Sequence, residues 1–316
     1  MFKVAVIGAS GLLGRAVASE LAAATGWWIA QTALRRAGAQ QTPLDIRDAQ
    51  AVAHYVEREA PDAIVIAAAE RRPDVCEHDP DAARALNVDA ARHIAAAARR
   101  RGAWVLSIST DYVFDGTKPP YRCDDAAHPL NAYGRSKLDG ERALLDATDA
   151  GLVLRLPLLY GPVVHWQESA VTSLVPAIMA SARGGGRSAP AVMDAWATRY
   201  PTFTPDVACV IRQLLARHAD GKPVCGIAHW SGDEPMTKYD IARRLAAALG
   251  ANARHARLVA QDSPVDATPR PRDCHLDASR LEALGIGRRT PFDTAIRAVL
   301  DAFPSRGDAA AAPPAQ

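Results

Sequence analysis

Long apolar runs are absent from these 316 residues. Nothing approaches the roughly 20 consecutive apolar residues of a transmembrane helix, so no membrane partner is expected. An excess of one charge sign is absent as well. The 37 Lys and Arg against 35 Asp and Glu leave a formal net charge of +2, which offers a nucleic acid no electrostatic footprint. Any anion the chain binds has to be met locally. Cysteine is scarce and scattered (Cys76, Cys123, Cys209, Cys225, Cys274) with no C-x-x-C pair, so zinc and dithiol chemistry are not indicated and a reducing compartment fits. The nine histidines form no i,i+4 pair and no cluster with carboxylates, so no metal is expected. Met1 leads into Lys3 and four apolar residues, too short for a signal peptide, and the expected compartment is the cytoplasm. Internal repeats are absent too.

What is present reads as a globular α/β protein. Apolar residues make up 49% and charged residues 23%, which excludes global disorder, and the length suits a nucleotide-binding domain with a smaller partner. Over residues 3–110, short apolar or β-branched runs (3–7, 28–33, 63–67, 104–108) alternate with alanine-rich helical stretches (12–24, 49–59, 81–101). This is the pattern of βαβ units under a parallel sheet, with Asp48 as a helix N-cap. The expected fold class is therefore α/β, a doubly wound parallel Rossmann sheet with a smaller C-terminal substrate-binding α/β region. A further strand at 151–156 is expected, after which the alternation breaks. We assign 1–160, with a returning segment near 201–225, to an NADP-binding domain, 161–200 and 226–303 to the substrate region, and 304–316 to a disordered tail. Within the second region the glycines at 184–186 read as a mobile loop. Thr204 reads as an N-cap ahead of Pro205 and a helix over 207–219, and Thr237 as the cap of a helix running to 249. Residues 277–284 read as a short helix.

Gly8-Ala9-Ser10-Gly11-Leu12-Leu13-Gly14 stands between the first strand and the first helix. Glycines there permit a tight turn and close approach to a pyrophosphate, while the helix start favours negative charge. A plain glycine turn is the alternative in isolation; the βαβ setting favours a dinucleotide. After the second strand, where NAD-preferring sites place an acid for the adenosine ribose, this chain has Arg35 and Arg36. Two guanidiniums suit a 2′-phosphate, so NADP(H) is expected, with NAD(H) and two solvated arginines as the alternative. Asp45 and Ile46 suit the adenine. Ala67, Ala68 and Ala69 are small enough for a cofactor to lie across them, or simply pack closely.

Tyr133 and Lys137 are four residues apart, on one face if the segment is helical. An ammonium beside a phenol stabilises the phenolate and tunes it as an acid, and can also hold the nicotinamide ribose. An exposed helical pair is the bland alternative. Ser109 and Thr110 end the strand at 104–108, so their hydroxyls emerge at the carboxyl edge, where α/β sheets bind ligands. The assembled expectation is hydride delivery to a ketone, with Tyr133 protonating the oxygen and Thr110 hydrogen-bonding it.

These residues resemble the extended short-chain dehydrogenase/reductases, in the branch that contains dTDP-4-dehydrorhamnose reductase. The likeness rests on the glycine loop, on Ser109-Thr110-Asp111-Tyr112-Val113-Phe114-Asp115-Gly116, and on Pro129-Leu130-Asn131-Ala132-Tyr133-Gly134 leading to Lys137. It implies NADPH- or NADH-dependent reduction of a nucleotide-linked 4-keto-6-deoxysugar, with Thr110, Tyr133 and Lys137 catalytic. Leu158-Leu159-Tyr160 stands where that branch has Trp-Val-Tyr. The blocks Glu70 to Val75, Glu168 to Thr172, His229 to Gly232, Met236 to Tyr239 and Leu284 to Phe292 resemble the regulatory β subunits of methionine adenosyltransferase, which implies NADP binding and docking on a catalytic partner. The partners expected are thus a nucleotide-sugar substrate and either a second copy or a methionine adenosyltransferase-like protein. A nucleotide-sugar epimerase or dehydratase is a further enzyme reading, opposed by Arg35 and Arg36. For a diphosphate, Arg199, Arg270 and Arg272 are the candidate cations, with surface ion pairs as the alternative.

Overall fold

The computed structural model describes residues 1–34, 37–186, 188–264 and 268–303. Arg35, Arg36 and the tail at 304–316 lie outside them. Five strands arise from the runs read above or close to them: β1 (Phe2–Ile7), β2 (Trp27–Ala33), β4 (Ala63–Ile66), β5 (Trp104–Thr110) and β6 (Gly151–Leu156). Between the second and third of these lies β3 (Gln41–Pro43), a three-residue edge strand. Pro43 has no N–H for a further neighbour, which suits an edge. Then follow the short strands β7 (Leu159–Tyr160), β8 (Ala191–Asp194), β9 (Thr202–Phe203), β10 (Gly226–His229) and β11 (Leu258–Gln261).

The central sheet has seven strands in the order β10-β6-β5-β4-β1-β2-β3, and its pairings are parallel. A parallel sheet must be covered on both faces. One face takes α1 (Leu12–Ala22); the other takes α2 (Ala49–Glu59) and the segment that reads as one helix over 81–101. That segment is broken. Upstream of it lies α3 (Pro73–His78), and the segment itself divides into α4 (Pro80–Arg84), a π turn at Ala85–Asp89 and α5 (Ala90–Arg101). Asp48 caps α2 as expected, its carboxylate accepting from Gln50 N at 2.8 Å and Ala51 N at 3.1 Å.

Beyond α6 (Ala132–Ala147), α7 (Val175–Gly186) includes the three glycines expected in a mobile loop, which is a correction: they end a helix. The chain then returns to the sheet. Helix α8 (Thr204–Ala219) packs on α1 through Val207, Ile211 and Leu214, and β10 pairs with β6, so the returning segment extends to His229 and not only to 225. Thr204 is not the cap foreseen for α8; Phe203 holds that position, and the Thr204 hydroxyl is buried against Gly161. Thr237 does cap α9 (Lys238–Leu249), in a reciprocal capping box with Asp240. The helix read over 277–284 is the single turn α10 (Ser279–Glu282), and α11 (Phe292–Asp301) closes the described chain. Met193, Ile241, Leu245, Phe292 and Ile296 form the core of the second region. Among the described residues no helix is long and apolar enough to cross a membrane.

Candidate active site

The glycine turn follows β1, the alanines 67–69 follow β4 and Thr110 ends β5, so three neighbouring strands deliver them to one edge of the sheet. Gly8 has φ +84°, and its N–H and that of Ala9 donate to Thr32 O at 3.1 and 2.8 Å, tying the turn to the end of β2. The glycines serve different ends. A Cβ on Gly8 would lie 2.8 Å from Ala68 N, and one on Gly14 would lie 2.1 Å from Gly8 O, inside the turn itself. Gly11, the extended N-cap of α1, would meet only Gly8 O at 3.4 Å. With a glycine cap and no acid in its first turn, the start of α1 is shaped for an anion. Leu13 is buried in the core, so backbone is what it offers a ligand. The Ser10 carbonyl accepts from Arg15 Nη1 at 2.8 Å, and Arg15 pairs with Glu168 at 2.7 Å, which ties the second region to the turn.

Other expected contacts fall differently. Asp45 is engaged by Arg47 at 2.6 Å, whose hydrogen bonds hold the carboxyl below its usual range, and Ile46 is buried in the core beside Leu44 and Val52. Arg199 is only 3% exposed and donates to Thr198 O at 2.8 Å and Pro271 O at 3.0 Å, with its guanidinium 5.7 Å from the Tyr112 ring centre. Arg270 reaches Asp74 at 3.4 Å, and Arg272 is exposed.

The segment holding Tyr133 is helical. Asn131, fully buried, caps α6 by accepting from Gly134 N at 2.9 Å and donates to Pro269 O at 2.9 Å. Gly134 is required because a Cβ would lie 2.2 Å from Tyr112 O. Burial pushes the Tyr133 phenol well above its ordinary value, and the Thr110 hydroxyl, as a hydrogen-bond partner, pulls the other way. Lys137 Nζ donates to Ile108 O at 2.7 Å, and burial brings its ammonium down to about 8, with Glu141 and Cys76 opposing. Thr110 Oγ1 donates to Asp111 at 3.1 Å and accepts from Tyr112 N at 3.2 Å. Burial raises Asp111 to about 6, against the nearby Arg199 cation and the Thr110 hydrogen bond.

Several residues escaped the sequence reading. Asn87, in the π turn, donates to Glu70 O and Ser136 Oγ, each at 3.0 Å, and accepts from Glu70 N at 2.9 Å, so it fixes the segment after β4 against α6. Glu141, Arg155 and His229 form a buried network: Arg155 binds Glu141 through Nε at 3.0 Å and Nη2 at 2.6 Å, and Nη1 lies 3.4 Å from His229 Nε2. Because Arg155 only donates, His229 Nε2 carries the lone pair and Nδ1–H donates to Tyr121 O at 3.2 Å. One signal was available. Arg155 is the lone charge in the apolar strand GLVLRL, and a charge there needs a buried partner.

Burial, and then Arg155, push His229 down to about 4, so it is neutral in the fold. The unfolded chain takes up that proton near the ordinary value of about 6.5. Between about 6.5 and about 4 the unfolded state therefore binds more protons, and stability falls as the pH drops. The contribution is roughly 3 kcal/mol at most. Asp111, with a raised carboxyl, acts with the opposite sign, so the comparison with His229→Gln isolates the histidine. Urea unfolding from pH 7 to pH 4 is expected to show a flatter loss in the variant; parallel curves would count against a buried neutral imidazole.

A family profile, the RmlD substrate binding domain, matches residues 2–305. Over 301 residues, 95% of this chain and 88% of the relative, the chain is 46% identical to methionine adenosyltransferase 2 subunit beta of Pongo abelii. It is 33% identical over 309 residues, 95% of this chain and 96% of the relative, to dTDP-4-keto-6-deoxy-D-glucose reductase of Streptomyces niveus. Among solved structures, a dTDP-4-dehydrorhamnose reductase from Clostridium acetobutylicum superposes with a TM-score of 0.80 at 24% identity, covering 95% of this chain and 99% of the other.

Proposed function

The chain belongs to the RmlD substrate binding domain family, and from that premise we propose that it binds NADP(H) and reduces the 4-keto group of a nucleotide-linked 6-deoxysugar. The observation that carries this reading is the half-buried phenol of Tyr133 against Thr110 and, one turn along the same helix, the buried ammonium of Lys137 on the Ile108 carbonyl, at the sheet edge that also holds the glycine turn. The turn fits a dinucleotide, since Gly14 fills the space under Gly8 and Gly11 leaves the helix start uncovered. Gly8, Ser10, Gly11, Leu12, Leu13 and Gly14 hold the pyrophosphate largely by backbone, and the alanines 67–69 flank it. A bound nicotinamide supplies the hydride. The protein's part is to orient the ketone and move a proton. Tyr133 stays protonated at neutral pH and donates to the carbonyl oxygen, Thr110 orients that oxygen, and Lys137 stabilises the phenolate left behind. Arg270 and Arg272 are the cations proposed for the diphosphate.

A second reading, an NADP-binding regulatory subunit, is favoured by the 46% identity to a methionine adenosyltransferase subunit. It uses the same cofactor site without turnover. One experiment separates the two: NADPH oxidation by the purified chain with dTDP-4-dehydrorhamnose, beside co-purification with a methionine adenosyltransferase. Turnover establishes the reductase. Tight NADP binding with no turnover of any nucleotide keto-sugar, together with a stable complex, overturns it in favour of the subunit.

A further inference from the structure

Three residues of α6, each one turn apart, meet three consecutive residues of β5. Tyr133 stands against Thr110, Lys137 Nζ binds Ile108 O at 2.7 Å, and Glu141 accepts from Ser109 Oγ at 2.5 Å. Spacing of four puts 133, 137 and 141 on one helix face. The third rung continues into the sheet. Ser109 is registered with Arg155 on β6, and Arg155 with His229 on β10, so the three form one row across adjacent strands under Glu141. Both partners of the Glu141–Arg155 pair have side chains only 3% exposed.

Burying such a pair costs desolvation that its attraction does no more than offset, so stability alone is a weak reason for it. Its location supplies a better one. We propose that Glu141, clamped by Ser109 and Arg155, is a positioning residue that holds the Lys137 ammonium charged and in register with the Tyr133 phenol. The inference rests on the reductase reading for its kinetic consequence only. Glu141 favours the charged lysine and burial opposes it. Cys76, from α3, is the other titratable group acting on the lysine, and it is itself raised by burial and by Glu70 and Glu77. Arg155 and His229 face Glu141 from the sheet.

The test is a pH titration of the Lys137 side chain by NMR in the full chain without substrate, with Lys137→Arg assigning the signal. Glu141→Gln keeps the shape and removes the charge, and the lysine midpoint is expected to fall by roughly one pH unit. Ser109→Ala keeps the charge and is expected to leave the midpoint within a few tenths of a unit. An unchanged midpoint in folded Glu141→Gln overturns the proposal. Should the glutamine variant fail to fold with Arg155 unpaired, Glu141→Gln/Arg155→Met removes both buried charges and is compared with Arg155→Met, so that only the glutamate differs; a lysine midpoint that does not fall between those two overturns the proposal. Where the wild type turns over keto-sugar, the alkaline limb of its kcat profile should move down with the lysine midpoint in Glu141→Gln; a stationary limb also overturns the proposal. Absence of turnover in the wild type sinks the reductase reading and leaves the titration to judge Glu141.

Discussion

Tyr133→Phe is expected to lower kcat by about 10²- to 10⁴-fold, the usual worth of a positioned proton donor, while leaving the affinity for NADPH within a factor of about three. The reason is local. The substitution removes one oxygen from a helix whose register is set elsewhere, by Asn131 at the cap, by Lys137 on Ile108 O and by Glu141 on Ser109. The Lys137 hydrogen bond to Ile108 O does not pass through the phenol, so it persists in the variant. The pH profile carries a second sign. Burial keeps the phenol protonated across the neutral range, which suits donation during reduction, and the lysine loses its charge as pH rises through about 8. Wild-type kcat for reduction should therefore fall above about pH 8. Single-turnover and steady-state measurements of NADPH oxidation check both; near-wild-type turnover by the phenylalanine variant would remove Tyr133 from the chemistry.

Much of this arrangement was legible in the chain. The glycine turn, the strands at the centre of the sheet, the Asp48 and Thr237 caps and the 133/137 spacing are local patterns, and local patterns are what a sequence displays. The π turn was not legible, because Ala-rich residues 81–101 satisfy helical periodicity throughout; the interruption comes from Asn87 bonding to Glu70 and Ser136. Strands of two to four residues, such as β7 paired with β9 and β8 paired with β11, are too short to show alternation and exist because distant segments supply the partner. The Ser109–Arg155–His229 row was hidden for the same reason. Its members lie on three strands and meet only once the sheet order is known.

The substrate side shows how context changes a residue's availability. Arg199 reads in sequence as a cation for a diphosphate, yet its guanidinium is buried between two carbonyls and beside the Tyr112 ring, where it acts on Asp111. Tyr160 of the Leu-Leu-Tyr step is 1% exposed and packs in the second core with its ring tilted against those of Phe203 and Phe292. Trp166 lies against Phe303 with ring centres 3.4 Å apart. Tyr160 and Trp166 help build the second region, and of the cations proposed for a diphosphate Arg270 is half-buried beside Asp74 while Arg272 reaches solvent.

Gly14→Ala and Gly11→Ala are expected to fail in opposite ways, which makes the pair the strongest test of the dinucleotide turn. At residue 14 the added methyl would sit 2.1 Å from Gly8 O, 2.8 Å from Gly8 C and 2.9 Å from Ala9 Cα, all backbone atoms of the turn. Nothing flexible is available to move, so the turn must deform, and a loss of about 3 kcal/mol or more in urea unfolding is expected. At residue 11 the backbone is extended (φ −77°, ψ 169°), a conformation alanine adopts freely, and the methyl meets Gly8 O at 3.4 Å, ordinary contact. Stability should therefore stay within about 0.5 kcal/mol of wild type. The methyl nevertheless stands over the start of α1, where a pyrophosphate has to approach the amides, and NADPH affinity should fall at least about tenfold. Calorimetric titration with NADPH decides: a stable Gly11→Ala protein that binds like wild type would mean that the cofactor does not lie on this turn.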